Sequence, residues 1–506
     1  MRKTRGLIAA GHIATAEAAA MILREGGNAF DAAVAALLAT FTAEPCMSSA
    51  GGGAFMTAFR SDGTALVYDF FVQTPKVKKR AEEIEYFPIE LDFGTAKEVF
   101  YVGMGSVGVP GTIGGAFEIA KHLGSLPMDV LAAPAIQMAR EGVDMDDFQF
   151  HDFNLLEKIL KLSHPSPVFW KGDRLLKVGE KVTNPDWANC LDFLVRDGIE
   201  EFYQGDVAKL ILKLNDAKGG HLSAKDLASY RTLEHAPLVF PYRDRTVITN
   251  PGPSLGGNIV AIALAMLEKK GVAKYARESV AHVENIMDVF SRVDEIPRTP
   301  AALAQALAHW YPGRSAQAPA HNSRKIGGTS HFSILDEHGN AVSISTSNGE
   351  GCGHFVPETG IQLNNMLGEM ALLPHGVHSW TPNVRLGSMM APTVVLDAAH
   401  KAEIVLGSGG AGRIPFMLTQ VLHNMIDLGM NLKDAVDAPR QHWHAGIANL
   451  EPGLPSEVQM PASLKSLVSW EQKSLFFGGV HAVCQVKNGM EAEGDQRRGG
   501  VMLNVE

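Results

Sequence analysis

Two glycines precede a threonine at Gly327-Gly328-Thr329, and the alternating segment Ser330-His331-Phe332-Ser333-Ile334-Leu335-Asp336 follows. A threonine hydroxyl is a poor nucleophile until a base takes its proton, and a threonine made N-terminal by chain cleavage carries that base as its own α-amine. With a reference pKa of roughly 7.7 to 8.0 such an amine is substantially neutral near physiological pH, whereas lysine at about 10.4 is not. The glycine pair gives the backbone freedom to turn the Gly328–Thr329 peptide toward attack by the Thr329 hydroxyl. Gly-Gly-Thr alone also suits a strand opening after a glycine turn, so both readings stand on these three residues.

Other patterns carry less chemistry. Gly103-Met104-Gly105-Ser106-Val107-Gly108 fits a dinucleotide fingerprint after the strand-like Val99–Val102. Pro110 and Gly111 then stand where a helix N-terminus should open toward a pyrophosphate, so no cofactor is expected. His442-Trp443-His444 has metal-like spacing on a strand, but two ligands without a third are structural or solvent-facing, and no metal is expected. His331 is placed to help shape a site around Thr329 without an obligatory role. Cys352, within Gly351-Cys352-Gly353, reads as a small residue in a glycine loop or as a thiol near the site.

The elements that must position these residues alternate between helix and strand. Two alanine-rich helices are expected between Ala14 and Pro45, separated by Gly26-Gly27, with Asn28 and Asp31 in capping-box positions. Ser48 to Phe55 opens a hairpin, Ala54–Arg60 and Ala65–Phe71 around Ser61-Asp62-Gly63, and Gly51 to Gly53 suits a turn or a lining of the site. Helices are expected at Thr112–His122, Asp129–Arg140, Ala188–Asp197 and Ser223–Tyr230. A strand at Thr246–Asn250 leads through Pro251-Gly252-Pro253-Ser254-Leu255-Gly256-Gly257 into a helix at Asn258–Glu268. Pro312 to Gly328 turns small, polar and basic and reads as a linker. Beyond it come strands from Thr329 and at Ala341–Ser347, Thr393–Leu396 and Glu403–Leu406, the glycine run Gly407–Gly412, and a helix from about Ile414. Strand pairs with intervening helices indicate α+β layers rather than one parallel sheet.

A chain of 506 residues holds two or three domains or one large interwoven unit. With 45 Lys and Arg against 55 Asp and Glu the net charge is −10, which argues against a nucleic-acid partner. Hydrophobic residues at 46% and charged residues at 20% exclude a disordered chain. No apolar signal region follows Arg2, Lys3 and Arg5, and the run Ala32–Ala39 is far short of the roughly 20 residues that cross a bilayer. Cys46, Cys190, Cys352 and Cys484 are too scattered for a disulfide framework and fit a reducing compartment. The expectation is a cytoplasmic protein without a membrane partner.

Thr329-Ser330-His331-Phe332-Ser333, Asp336, Gly339-Asn340-Ala341-Val342 and Gly360-Ile361-Gln362-Leu363-Asn364-Asn365 resemble the start of the small subunit of γ-glutamyltransferases. The resemblance spans nearly the whole chain. Gly26–Ala35, Gly51-Gly52-Gly53, Gly111, Asp226–Tyr230, Pro253–Gly257, Ala391-Pro392-Thr393, Gly407–Arg413 and Gly494–Arg498 fall in family order. It implies an N-terminal-nucleophile hydrolase with a four-layer αββα sandwich, whose precursor cuts itself between Gly328 and Thr329. The products would be a large segment, residues 1–328, and a small one, residues 329–506, interwoven and staying associated, with a homodimer of the processed unit left open. By the same resemblance Thr329 attacks an amide carbonyl of a small-molecule substrate, and Ser347, where the family usually has threonine, orients the nucleophile. Backbone N–H groups at Gly410 and Ala411 would form the oxyanion hole, where loss of one donor typically costs roughly two or three powers of ten in rate.

The acyl-recognition positions depart from the family. Where γ-glutamyltransferases carry an arginine that clamps the substrate α-carboxylate, this chain reads Asp69-Phe70-Phe71, and Lys76 or Lys78 would offer only a flexible point charge. The family's glutamine after Asn-Asn is Met366, its second serine beside Ser388 is Met389, and its loop asparagine aligns with Gly349, next to Asn348. Glu369, where the family has aspartate for the substrate amine, and Ser388 remain. Charged hydrogen bonds contribute roughly 1.5 to 3 kcal/mol each, so these replacements predict weak binding of a zwitterionic acyl group and a more apolar pocket. The reading is an autoprocessing amidohydrolase acting on an acyl group other than ordinary γ-glutamyl, with water as acceptor and transfer to an amine left open. The alternatives are a true γ-glutamyl enzyme acting on glutathione, or a relative that neither cleaves nor catalyses and serves in binding.

Overall fold

The computed structural model describes residues 3–92, 97–252, 254–312, 328–369, 372–373, 376–459, 461–487 and 489–506. Gly327, Pro253 and most of the expected linker, residues 313–327, lie outside the described residues. Two antiparallel sheets form the centre. Their strands, numbered along the chain, are β1 (Gly6–Ala10), β2 (Gly53–Phe59), β3 (Ala65–Phe70), β4 (Leu233–His235), β5 (Leu238–Tyr242), β6 (Arg245–Thr249), β7 (Ser330–Asp336), β8 (Ala341–Ser347), β9 (Thr393–Leu396), β10 (Ala402–Gly409), β11 (Gly479–Val486), β12 (Gly489–Glu493) and β13 (Val501–Val505). The first sheet runs β4-β3-β2-β8-β7-β1-β13, the second β5-β6-β9-β10-β11-β12.

Period-2 alternation turns one row of each strand toward the other sheet and one toward helices. Leu7, Ala9 and Leu335 pack against Ile248, Val394, Val405 and Val483 between the sheets, while Ile8, Ala10, Phe332 and Ile334 face the helical layer. That layer comprises α1 (Ile13–Arg24), α2 (Ala29–Ala43), α3 (Thr112–Leu123), α4 (Met128–Glu141) and α5 (Pro185–Asp197). On the far side α6 (Gly256–Lys270), α7 (Val280–Glu295) and α8 (Ile414–Leu422) cover the second sheet. The result is the αββα sandwich that the family resemblance implied.

Local chemistry explains the helix ends. Asn28 accepts from the Phe30 and Asp31 N–H groups, and the Asp31 carboxylate accepts from the Asn28 N–H, which closes the expected capping box at the start of α2. Every residue of α2 is buried, and its small side chains let α1 and the first sheet approach from both sides. Asn184 caps α5 with Pro185 in its first turn, so this helix opens ahead of the expected Ala188. The strand expected at Val99–Val102 is part of a ribbon, Lys97–Val102 paired with Phe87–Asp92, and a short 3-10 turn at Met104–Ser106 follows it in place of a dinucleotide-binding helix. No helix among the described residues is long and apolar enough to cross a membrane.

Strands from both sides of residue 328 interleave. In the first sheet β7 and β8 lie between β2 and β1, and in the second β6 pairs with β9.

Candidate active site

Thr329 immediately precedes β7, buried to 5% exposure where the ends of β8 and β10 converge on it. Its carbonyl lies 3.4 Å from Nη1 of Arg498, a donor from the turn before β13. Gly328, which precedes Thr329, is held at both its polar groups. The Gly328 N–H donates to Glu350 Oε1 at 2.9 Å, and the Ser347 hydroxyl donates to the Gly328 carbonyl. Ser347 Oγ also accepts the Gly349 N–H at 3.0 Å. This hydroxyl thus addresses the carbonyl that precedes Thr329. Gly328 leaves no room for a side chain, since a Cβ there would sit 2.6 Å from the Gly349 carbonyl oxygen.

A small cavity adjoins Thr329, with only about 20 Å³ open to water. It brings together Phe71, Ser347, Met366, Glu369, Ser388, Met389 and Ala411, all expected at a site from the sequence. Leu372, Met390 and Ile414 complete the lining and were not foreseen. Asn348, also expected at a site, does not line this cavity: its side-chain amide donates to Gln362 Oε1 at 3.1 Å, and Gly349 follows at φ 63°. Gly410 does not line it either. Ala411 does, at φ 47°, a left-handed backbone that alanine adopts at a cost of roughly 1 to 2 kcal/mol.

Each wall has a structural origin. Phe71 follows β3 and stacks on Phe55 of β2 with ring centres 5.2 Å apart. The loop Ser388-Met389-Met390 is pinned by the start of α6, where the Leu255 N–H and the Ser254 hydroxyl donate to the Ser388 carbonyl at 2.7 and 2.8 Å. The expected strand-to-helix junction at Ser254–Gly257 therefore supports the pocket from behind. Gly51 to Gly53 do not line it: Gly51 pairs with Leu363, and Gly53 lies against Phe71.

Among the described residues no lysine or arginine lines the cavity, and the cations near Phe71 are engaged elsewhere. Lys76 donates to the Ser229 hydroxyl, and Lys78 donates to the His378 carbonyl at 3.1 Å while lying over the Trp380 ring. Arg385 is near Phe71 but behind it, spending its Nη donors on the Phe71 carbonyl, the Tyr230 hydroxyl and the Arg231 carbonyl, with the Asp69 carboxylate 3.7 Å away. Its position depends on contacts to residues far away in sequence, and nothing local signals it.

The surroundings are rich in buried acids. Burial lifts the Glu44 carboxyl to about 7 against the opposing hydrogen bonds from Ser330 and Thr15, and lifts Asp152 to about 7 against the pull of Arg498. Glu369 is pushed up to about 8 by burial and by Glu98, and Glu350 well above the carboxylate range by burial and by Glu369. His331 is enclosed between Ser345 and Ser333, and burial holds its pKa far below the usual value, so it is a neutral strut between the sheets. His442 is buried against Phe416, and His444 lies 3.4 Å from the Asp294 carboxylate. Cys352 is a buried thiol raised to about 12, which suits packing and not nucleophilic attack.

The sequence matches the profile of the gamma-glutamyltranspeptidase family over residues 15–299 and 299–505. The chain belongs to the gamma-glutamyltranspeptidase family. A glutathione hydrolase proenzyme of Escherichia coli (strain K12) is 29% identical over 515 residues, covering 94% of this chain and 86% of that protein. An acylase ACY 1 proenzyme of Pseudomonas sp. (strain SE83) is 29% identical over 478 residues, covering 90% and 85% respectively. The crystal structure of a cephalosporin acylase from Bacillus halodurans superposes with a TM-score of 0.80 over 99% of this chain and 96% of that one, at 24% identity, and shares its fold. Gamma-glutamyltranspeptidase relatives thus include both glutathione hydrolases and acylases, and the N-terminal-nucleophile sandwich is common ground.

Proposed function

We propose that this gamma-glutamyltranspeptidase-family chain cuts itself before Thr329 and then cleaves amides through a threonyl acyl-enzyme, on an acyl group other than ordinary γ-glutamyl. In the first step the Thr329 hydroxyl attacks the Gly328 carbonyl, which the Ser347 hydroxyl polarises. The peptide nitrogen leaves with a proton, an ester links Gly328 to Thr329 Oγ, and water hydrolyses it. The products are a Gly328 carboxylate and a free Thr329 amine. That amine then serves as base while Oγ attacks the amide of a small-molecule substrate. The leaving amine takes the proton, and water releases the acyl group.

The observation that carries the acyl assignment is the wall of the cavity. Phe71, Met366 and Met389 line it at the positions where the family resemblance implies an arginine, a glutamine and a serine, and the Nη donors of Arg385 are committed elsewhere. Losing charged hydrogen bonds of roughly 1.5 to 3 kcal/mol each amounts to about 10- to 100-fold in binding per bond. A kinetic comparison of γ-glutamyl with apolar and dicarboxylic acyl anilides checks this. The expected result is a kcat/KM for γ-glutamyl at least tenfold below the best alternative acyl group, and efficient hydrolysis of glutathione would overturn the assignment.

A further inference from the structure

Glu350 has a buried carboxyl that the reaction steps above do not use, and Oε1 of that carboxyl accepts the Gly328 N–H at 2.9 Å. A single turn therefore carries both grips on Gly328. Ser347 ends β8 and donates to the Gly328 carbonyl, and Glu350 follows it after Asn348 and Gly349. The turn is itself tied down. The Asn348 N–H donates to the Met47 carbonyl at 3.1 Å, the Glu350 N–H to Asn365 Oδ1 at 2.9 Å, and the Gly351 N–H to the Asn348 carbonyl at 3.2 Å. Gly349 and Gly351, at φ 63° and 78°, supply the left-handed backbone that brings the Glu350 side chain back toward Gly328.

Self-cleavage needs more than a hydroxyl beside a carbonyl. The Thr329 oxygen must meet one face of the Gly328 carbonyl carbon, and glycine restricts the dihedrals that set that face less than any other residue. A contact at the carbonyl alone leaves the peptide free to swing about it, whereas a second contact at the N–H, across the Cα, fixes its direction. We infer that Glu350 is a positioning residue for self-cleavage, holding the Gly328 N–H so that the carbonyl bound by Ser347 keeps one face toward the Thr329 hydroxyl. This deepens the proposed function and rests on Thr329 as the nucleophile. The bond from Oγ to the Gly328 carbon forms, the bond from that carbon to the Thr329 nitrogen breaks, and the hydroxyl proton ends on the departing nitrogen. The Gly328 N–H stays intact throughout, so Glu350 touches no reacting atom and acts on how often the reactive geometry is populated. The position calls for an acceptor and not for a charge. Burial and Glu369, with Glu98 and Asp152 adding to them, outweigh the Gly328 N–H and hold the Glu350 carboxyl well above the usual carboxylate range. A neutral carboxyl accepts an N–H through its carbonyl oxygen as a glutamine amide does.

The test follows the full chain, freshly made by cell-free translation, on denaturing gels that resolve the precursor from its two products. Glu350→Leu, of similar size but without an acceptor, should slow the first-order loss of precursor at least about tenfold, and Glu350→Gln, which keeps the acceptor, should stay within about threefold of wild type. A second arm leaves every side chain in place: glycolic acid installed at position 328 by a suppressor tRNA turns the amide between residues 327 and 328 into an ester and deletes the N–H alone. It should slow the otherwise wild-type chain at least about tenfold but slow Glu350→Leu less than about threefold, because the contact is already gone there. This arm keeps the test open if Glu350→Leu fails to fold. Equal rates for wild type and a protease-resistant, folded Glu350→Leu, a Glu350→Gln as slow as Glu350→Leu, or a glycolate chain that cleaves at the wild-type rate would each overturn the role of Glu350 while the proposed function stands. A wild-type chain that never cleaves sinks both.

Discussion

Glu44 ties the residue after the nucleophile to the helical layer, its carboxyl accepting from the Ser330 and Thr15 hydroxyls. Burial raises it from 4.5 to about 7, so between those values the folded protein holds a proton that the unfolded chain has released. Stability contributed by this group is full below about 4.5 and falls as pH rises to about 7, by up to roughly 3 kcal/mol. On an uncut Thr329→Ala background, Glu44→Gln should therefore gain stability relative to its parent as pH goes from 4.5 to 7, with no further change above about 8. Urea midpoints at stepped pH check this, and a pH-independent difference would contradict it. At this scale the sequence was legible in which residues gather around one cavity, since residue type and place in a motif already grouped Thr329, Ser347, Phe71 and Glu369. The sequence assigned no place beside Thr329 to Glu350 or to Arg498, although Arg498 stood within a family-like motif, because their contacts are made across the fold: Glu350 reaches back to Gly328, and Arg498 reaches Thr329 from near the end of the chain.

Between elements, Asp336 joins three features at the far end of β7. Its Oδ2 accepts the Ala29 N–H at the start of α2 and the Asn340 side-chain amide, while Oδ1 accepts the His338 and Asn340 N–H groups of the turn into β8. One carboxylate thus fixes a helix N-terminus, where negative charge is favoured, and the hairpin that carries Thr329 and Ser347 at its open end. Asp336→Ala on the Thr329→Ala background should cost about 2 to 3 kcal/mol in a denaturant titration, since charged hydrogen bonds are lost and a buried Ala29 N–H is left unpaired. A loss below about 0.5 kcal/mol would contradict this role. Elements with local signals were readable: the Asn28 capping box, the Asp62-Gly63 hairpin turn and the alternation after Gly328. The helix α7 gave less away, and β10 runs on to Gly409, through glycines that looked like the loop after a shorter strand. Glycine there lets the strand end lie against the Thr329 carbonyl, a demand of packing that no local pattern encodes.

At the scale of the whole molecule, a cut before Thr329 would divide both sheets without separating them. Strands β7 and β8 would still be paired with β1 and β2, and β9 with β6, so the two segments would share their cores and hydrogen-bond ladders. The layered architecture was legible from strand and helix spacing, but the order in which the strands interleave was not, because pairing between residues more than 300 apart leaves no mark on either partner. The account turns on the bond between Gly328 and Thr329, and intact mass spectrometry of the purified protein, after native size exclusion and then denaturation, reads it most directly. The prediction is one native peak that yields two masses, the smaller beginning at Thr329, and a single mass for Thr329→Ala. A wild-type protein that remains one uncut chain, with no new amino end at residue 329, would contradict it.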